Sequence, residues 1–468
     1  MWRRRRVVNK ESQYQQYQQF IEHKIHLTEN FGFTPTWIPD ILFDFQKFLI
    51  EWACQKGRAA LFEDCGMGKT FQYLTIAENI VRRTNKRVLI LTPLAVSFQT
   101  VLEGEKLGVE VTRRRTGINS SDKIVVTNYE RLHYFNSQDF ICTICDESSI
   151  LKNYDGEYRK VITDFMKKHP YRFLCTATAA PNDWPEIGTS SEALGYLGFT
   201  DMLAKFFKKT KKGRSRRDEL KAGMYRFRGH AEENFWRWVC SWARAIRKPS
   251  DMGFDDDGFV LPELIRQQHI VKASALPDGF LFEVPAVGQQ EQRNELKRTI
   301  VQRCEKAAEL INAHDRHAVA WCYLIEEGHR LEKLIQGSIN VEGADPEEKK
   351  EEAFKAFIKG ELRVMISKPT IAGFGLNWQH CAHMTFFPSH SYEQFYQGVR
   401  RMWRFGQKRS VTVDVISTEG QKRVLNNLQR KSVAADKMFT MLTTMMKHEL
   451  NIHHTNMYTQ EEVIPSWL

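Results

Sequence analysis

Ala59-Ala-Leu-Phe-Glu-Asp-Cys-Gly-Met-Gly-Lys-Thr70 reads as a short apolar strand, a glycine-containing loop and the start of a helix. Gly66 and Gly68 let backbone amides approach phosphate oxygens, and a helix expected over Phe71–Arg83 adds the positive end of its dipole. In such a loop Lys69 reaches the β- and γ-phosphates and the Thr70 hydroxyl ligates magnesium. The strict phosphate-loop pattern has glycine where this chain has Glu63. Gly-x-Gly-Lys-Thr also arises by chance, so the neighbouring segments have to decide.

Those neighbours alternate in the manner of an α/β protein. Arg87–Thr92, Lys123–Thr127, Phe140–Cys145 and Tyr171–Cys175 are short apolar runs suited to buried parallel strands, with amphipathic stretches between them. Asp146-Glu147 closes the third run. A carboxylate at a strand's carboxyl end beside a phosphate loop is where a second magnesium contact is needed, and the next can orient an attacking water. An acidic strand cap has the same appearance.

From about 186 to 270 the composition shifts. Lys205–Arg217 is rich in lysine and arginine, Phe235-Trp-Arg-Trp-Val-Cys-Ser-Trp-Ala-Arg244 is rich in tryptophan, and a loop-like acidic stretch follows Lys248. The basic run suits either contact with duplex phosphates or a solvated loop. Trp236, Trp238 and Trp242 suit packing better than base stacking. The α/β alternation then resumes, with strands expected at Ala318–Tyr323, Ser338–Val341, Arg363–Ser367, His383–Phe387 and Val411–Ile416. A Met-rich helical tail follows, also suited to packing. The expected division is a helical extension over 1–40, α/β domains over 41–185 and 290–430, a helical and basic insertion over 186–289, and a helical tail over 431–468.

A formal net charge of +11 and a pI near 9.1 point toward a polyanionic partner, nucleic acid first. No run of about 18 apolar residues is present, so no membrane span is expected. No apolar segment follows the basic start Met1-Trp-Arg-Arg-Arg-Arg6, so a cytoplasmic location is expected. Nine scattered cysteines, with Cys142 and Cys145 inside an apolar run and no second Cys or His pair, argue for reduced thiols rather than zinc.

The second half carries Gln397-Gly-Val-Arg-Arg-Met-Trp-Arg-Phe-Gly-Gln407. Arg401 and Arg404 stand three apart and would share one face of a helix. Their guanidinium forks suit polyphosphate oxygens. By itself the stretch is equally a basic surface helix.

Taken in order, the segments resemble a superfamily 2 helicase-type motor, and within it the Swi/Snf-like branch of double-stranded DNA translocases. Leu42-Phe-Asp-Phe-Gln46 resembles that branch's adenine-recognising segment. Glu63–Thr70 resembles motif I, in which an acidic pair replaces the first loop glycine. Thr92–Ser97 resembles motif Ia, Val125–Glu130 motif Ib, Asp146–Ser149 with Leu151-Lys-Asn153 motif II, and Thr176–Pro181 motif III. Val319–Tyr323 resembles motif IV, Ile371–Asn377 motif V, and Gln397–Gln407 motif VI with its Arg-Phe-Gly-Gln ending. Ser148 and Ser149 depart from the family's Ala-His, which leaves that coupling to motif III open.

The resemblance implies two RecA-like parallel-sheet domains with ATP in the cleft between them. Gln46, Gly66, Met67, Gly68, Lys69, Thr70, Asp146, Gly375 and Gln397 would hold the nucleotide, with Thr70 and Asp146 on magnesium. Glu147, Asp146, Lys69, Arg401 and Arg404 would carry catalysis, the arginines as fingers from the second domain. Thr92, Ser97, Thr127, Asn128, Ser367 and Thr370 would grip a DNA backbone. The expected partner is double-stranded DNA, with single-stranded or branched DNA as variants, and a nuclease or a replication or recombination protein as a further partner. A monomer is expected, and the compact chain resembles bacterial or phage-encoded members. The alternatives are a strand-separating helicase, a nucleotide-gated loading factor, and the motor subunit of a nuclease or restriction assembly.

Overall fold

A computed structural model describes residues 30–152, 156–180, 184–210, 225–272, 289–373 and 375–458. Five strands are laid down before residue 147: β1 (Arg58–Glu63), β2 (Arg87–Thr92), β3 (Val111–Arg113), β4 (Ile124–Asn128) and β5 (Phe140–Asp146). They are followed by β6 (Tyr171–Cys175), a small antiparallel pair β7 (Phe207–Lys209) and β8 (Tyr225–Phe227), and β9 (Ala243–Ile246). The first sheet has seven strands in the order β3-β4-β2-β5-β6-β1-β9, and every pairing in it is parallel. Almost every residue of β1, β2, β4 and β5 is buried, because helices cover both faces of a parallel sheet.

The second sheet contains β10 (Leu264–Val271), β11 (Ala318–Trp321), β12 (Ser338–Val341), β13 (Val364–Ser367), β14 (His383–Phe386) and β15 (Val411–Thr418). Its six parallel strands run β10-β15-β14-β11-β13-β12. The fold class is thus α/β, with two parallel-sheet domains.

The stretch 186–289, read from sequence as an insertion, is partly absorbed into both sheets. β9 is an edge strand of the first and β10 an edge strand of the second. Neither shows a clear strand pattern: β9 carries Arg244, and β10 reads Leu-Ile-Arg-Gln-Gln-His-Ile-Val with both faces half-exposed. Backbone pairing to an existing edge, rather than side-chain alternation, forms them. The helices Ile187–Leu194, Phe199–Phe206 and Ala231–Cys240 lie between. Trp236, Trp238 and Trp242 are buried there and pack as an aromatic cluster with Phe206, Phe207, Phe227 and Phe235. Residues 1–29 of the expected helical extension, 211–217 of the basic run, Asn153 and Pro181 lie outside the described residues.

The long helix Lys422–Tyr458 joins the domains. Leu428 packs into the second core, whereas Met438, Phe439, Leu442 and Met446 are buried in the first. Cys142 and Cys145 are buried within β5, with free thiols. No helix among the described residues is long and apolar enough to cross a membrane.

Candidate nucleotide site

The loop after β1 depends on two glycines. Gly66 and Gly68 have φ of 94° and 83°, left-handed values that side chains resist. A Cβ on Gly66 would lie 2.9 Å from the Phe405 amide nitrogen, and one on Gly68 would lie 2.2 Å from Gln46 Nε2. Gly66 therefore permits close approach of the motif VI turn from the other domain. The helix Lys69–Thr84 begins immediately after Gly68, so Lys69 and Thr70 occupy its first turn. Lys69 Nζ donates to the carbonyls of Glu63 at 2.8 Å and Asp64 at 3.1 Å. That cation is parked on the loop's own backbone, where an anion's oxygens could replace the carbonyls.

Gln46 is buried and held at both ends. Its Nε2 donates to Met67 O at 2.8 Å and its Oε1 accepts from Phe43 N at 3.0 Å. One amide N–H and one oxygen lone pair remain, enough for one edge of a base. Glu63, the residue that breaks the strict loop pattern, is fully buried and accepts from Gln72 Nε2 at 2.7 Å. Burial pushes its carboxyl up to about 7, despite the nearby Lys69.

Asp146 ends β5 and Glu147 follows with φ 52°, a left-handed value for a non-glycine residue. Such strain gathers at functional sites. Asp146 accepts from the Glu147 amide at 3.0 Å and from Tyr73 OH at 3.4 Å, and Tyr129 OH donates to its carbonyl at 2.5 Å. Burial first, and then the Glu147 charge, push Asp146 up to about 7. Burial also raises Glu147, against the pull of Lys69, Arg401 and Arg404.

The expectation that Arg401 and Arg404 share a helical face is corrected by the structure. The helix Tyr392–Val399 stops before them, and both lie in a tight turn. There Trp403 N donates to Val399 O at 3.0 Å and Gln407 N to Arg404 O at 3.0 Å. The two guanidinium groups converge because each donates to Leu376 O, at 3.2 and 3.3 Å. Arg401 also donates to Gln397 Oε1 at 2.9 Å, and Gln397 Nε2 donates across the domain boundary to Glu147 Oε2 at 3.3 Å. Desolvation, then repulsion from Arg401, bring Arg404 down to about 10. A buried Arg401 and a half-buried Arg404 held together call for an anion between them and the loop.

One cleft of about 360 Å³ collects these groups. Gln46, Gly66, Gly68, Lys69, Thr70, Asp146 and Glu147 line it from the first domain, and Gly375, Arg401 and Arg404 from the second. Met67 and Gln397 are adjacent through their bonds to Gln46 and to Arg401 and Glu147. A larger cavity of about 510 Å³ lies behind the loop, against Tyr396, Arg400 and the long C-terminal helix. It lacks Lys69, Asp146 and Glu147, and the chemistry belongs to the smaller cleft.

The residues fit a polyphosphate with magnesium. Thr70 and Asp146 are hard oxygen donors beside the loop, and Asp146 and Glu147 place two adjacent carboxyls where a cation would offset their charge. No cluster of three or more His, Cys, Asp or Glu suited to a metal is present among the described residues, so phosphate and water oxygens would complete the coordination.

Sequence reading missed several groups. Arg400 pairs with Asp64 across the boundary and donates to Cys65 O at 3.1 Å, and Tyr396 OH donates to Asp64. Lys152 pairs with Glu393, which also accepts from Thr178 Oγ1 at 3.4 Å. Phe43, Phe259 and Phe405 line the cleft with ring centroids 4.6–5.9 Å apart. Its place beside Arg401 in motif VI was the only sequence signal for Arg400, and Phe259 had none.

The expected DNA contacts fare differently. Thr92, Ser97, Thr127 and Ser367 are buried in this arrangement. Ser97 Oγ donates to Leu94 O at 3.0 Å and Ser367 Oγ to Val341 O at 2.9 Å, while Thr92 closes β2 and Thr127 is the last residue but one of β4. Asn128 is buried and donates to Glu130 at 2.6 Å. Thr370 is exposed beside a second interdomain cavity of about 450 Å³.

No family model matches the chain. A stretch of 180 residues, 35% of this chain, is 26% identical to the mouse (Mus musculus) DNA annealing helicase and endonuclease ZRANB3, and covers 17% of that protein's length. A Sulfolobus solfataricus SWI2/SNF2 ATPase core in complex with dsDNA aligns over 89% of this chain and 98% of its own, at 15% identity and a TM-score of 0.41. With its ordered motifs, and two parallel-sheet domains meeting at one loop-and-arginine cleft, the chain resembles the Swi/Snf-like branch of superfamily 2 helicase-type motors.

Proposed function

We propose that the chain is a DNA-stimulated ATPase that couples hydrolysis to movement along double-stranded DNA. One observation carries the reading: Lys69, Thr70, Asp146 and Glu147 of one domain face Arg401 and Arg404 of the other in a single cleft. A site divided between two domains is complete only when they close, so substrate binding and release are tied to domain motion.

Lys69 exchanges its loop carbonyls for the β- and γ-phosphate oxygens, and the loop amides hold the remaining phosphate charge. Thr70 and Asp146 would hold magnesium, which would supply positive charge to offset that of the phosphates. Glu147 orients the attacking water and accepts its proton, and Gln397 holds that carboxylate in register with the second domain. Arg401 and Arg404 stabilise charge developing on the transferred group, worth about 10³–10⁵ in rate for an arginine finger. Gln46, with Phe43, Phe259 and Phe405, forms the base end of the cleft.

The test is ATP turnover by the purified chain, alone and with duplex or single-stranded DNA. Stimulation greater by duplex supports the translocase, and greater stimulation by single strands would favour strand separation. Lys69→Ala should abolish turnover and leave DNA binding; normal turnover by that variant would refute the site.

A further inference from the structure

β3 and β4 stand at the end of the first sheet remote from β1 and its loop, with β2, β5 and β6 between. Arg113 ends β3 and Arg131 lies in the turn after β4, both at the first sheet's carboxyl edge. Ligands of open α/β sheets bind at this edge. Opposite them, the helix Glu347–Lys359 follows β12 and begins Glu-Glu-Lys-Lys-Glu. Arg113 pairs with Glu351 at 2.5 Å, Arg131 with Glu347 at 3.0 Å, and Arg115 with Glu347 at 3.0 Å and Glu348 at 2.8 Å. Every one of these pairs crosses between domains. The neighbouring cavity is lined by Pro93, Leu94 and Glu130 on one side and Glu351, Thr370 and Ile371 on the other.

We infer that Arg113, Arg115 and Arg131 form a binding site for the phosphodiester backbone of nucleic acid, and that Glu347, Glu348 and Glu351 occupy it in competition with that backbone. The inference rests on the motor reading, and it supplies contacts that the buried Thr92, Ser97, Thr127 and Ser367 cannot make here. Three guanidinium forks suit phosphate oxygens better than a scattered lysine surface would. The present pairs are partly exposed, from side-chain values of 24% and 20% at Arg113 and Glu351 to 51% and 72% at Arg115 and Glu348. Ion pairs of that exposure are weak in water. A backbone that releases condensed counterions on binding displaces them. Nucleic acid thus unlatches this edge when it binds, and the carboxylates re-latch it when the strand leaves.

The experiment is anisotropy of a labelled duplex oligonucleotide titrated with the full chain over a range of salt, with melting profiles confirming folded variants. Arg113→Ala/Arg115→Ala/Arg131→Ala should flatten the log–log salt slope by about 2–3, at ~0.9 per lost phosphate contact. Glu347→Gln/Glu348→Gln/Glu351→Gln should tighten binding, ~10-fold if the latch is shut nine parts in ten. The Glu changes should add nothing on the Arg background. Wild-type binding with an unchanged slope in the Arg variant overturns the inference alone, as does unchanged or weaker binding by the Glu variant. Absence of duplex binding by the wild type at every salt concentration overturns the motor reading as well.

Discussion

Arg404→Ala should separate activity from stability in opposite directions. In the nucleotide-free chain Arg404 is a half-buried cation beside Arg401, held by Leu376 O with its Nε unpartnered. Its pKa falls from the usual guanidinium value to about 10, chiefly through desolvation. At ~1.4 kcal/mol per tenfold change in proton affinity, burial of the charged form opposes folding by roughly 3 kcal/mol. Truncation removes that opposition but leaves a cavity, which takes back about 1–3 kcal/mol. The nucleotide-free variant should therefore melt at the wild-type temperature or a few degrees above it. Turnover should fall by about 10³-fold or more, ~4 kcal/mol of transition-state stabilisation. The assays are steady-state ATP hydrolysis with saturating duplex, and thermal melting with and without a non-hydrolysable ATP analogue. The analogue should raise the variant's melting temperature less than the wild type's. An unchanged kcat would refute the finger role, and a clear loss of nucleotide-free stability would refute the electrostatic account.

Gly66→Ala should impair turnover by blocking domain approach, because its Cβ meets the Phe405 backbone at 2.9 Å; wild-type turnover would show that the turn can retreat. Glu63 and Asp146 have folded-state pKa values raised to about 7, so their neutral forms favour folding below about pH 4. That contribution is lost as pH rises toward and through 7, so nucleotide-free stability should decline over this window; Glu63→Gln should reduce the decline in melting temperature, and an undiminished decline would contradict the assignment. Arg400→Ala should leave the buried Asp64 without its cation and lower the melting temperature, with Asp64→Asn/Arg400→Ala milder than the single change; equal losses would argue against a coupled pair. Gln397→Ala should lower kcat more than ATP affinity by freeing Glu147 and Arg401, and a purely KM effect would count against positioning.

Most of the α/β architecture is legible in the chain because buried parallel strands declare themselves by apolar runs. Arg87–Thr92, Tyr171–Cys175 and Ser338–Val341 have the expected bounds, and the loop glycines, Lys69, Asp146 and Glu147 fall at the ends of such runs. β9 and β10 were not legible, since an edge strand is stabilised by backbone pairing whatever its side chains. The burial of the Thr92, Ser97, Thr127 and Ser367 hydroxyls was not legible for a related reason. Period and motif order locate a residue along a strand or loop, but burial depends on what other segments pack over it.

The sequence by itself determined the chemistry available: a phosphate loop, a paired carboxylate, two arginines and a basic charge balance. Each is a local property of residue type and spacing. Only the tertiary structure decided that Arg401 and Arg404 reach the loop, by way of a turn pinned to Leu376 O rather than a helical face. It alone brought Arg400 to Asp64, Gln397 to Glu147, and Arg113, Arg115 and Arg131 to the Glu347–Glu351 turn. These contacts join segments hundreds of residues apart, and their energy depends on distance and burial across two separately folded sheets, which no local pattern records.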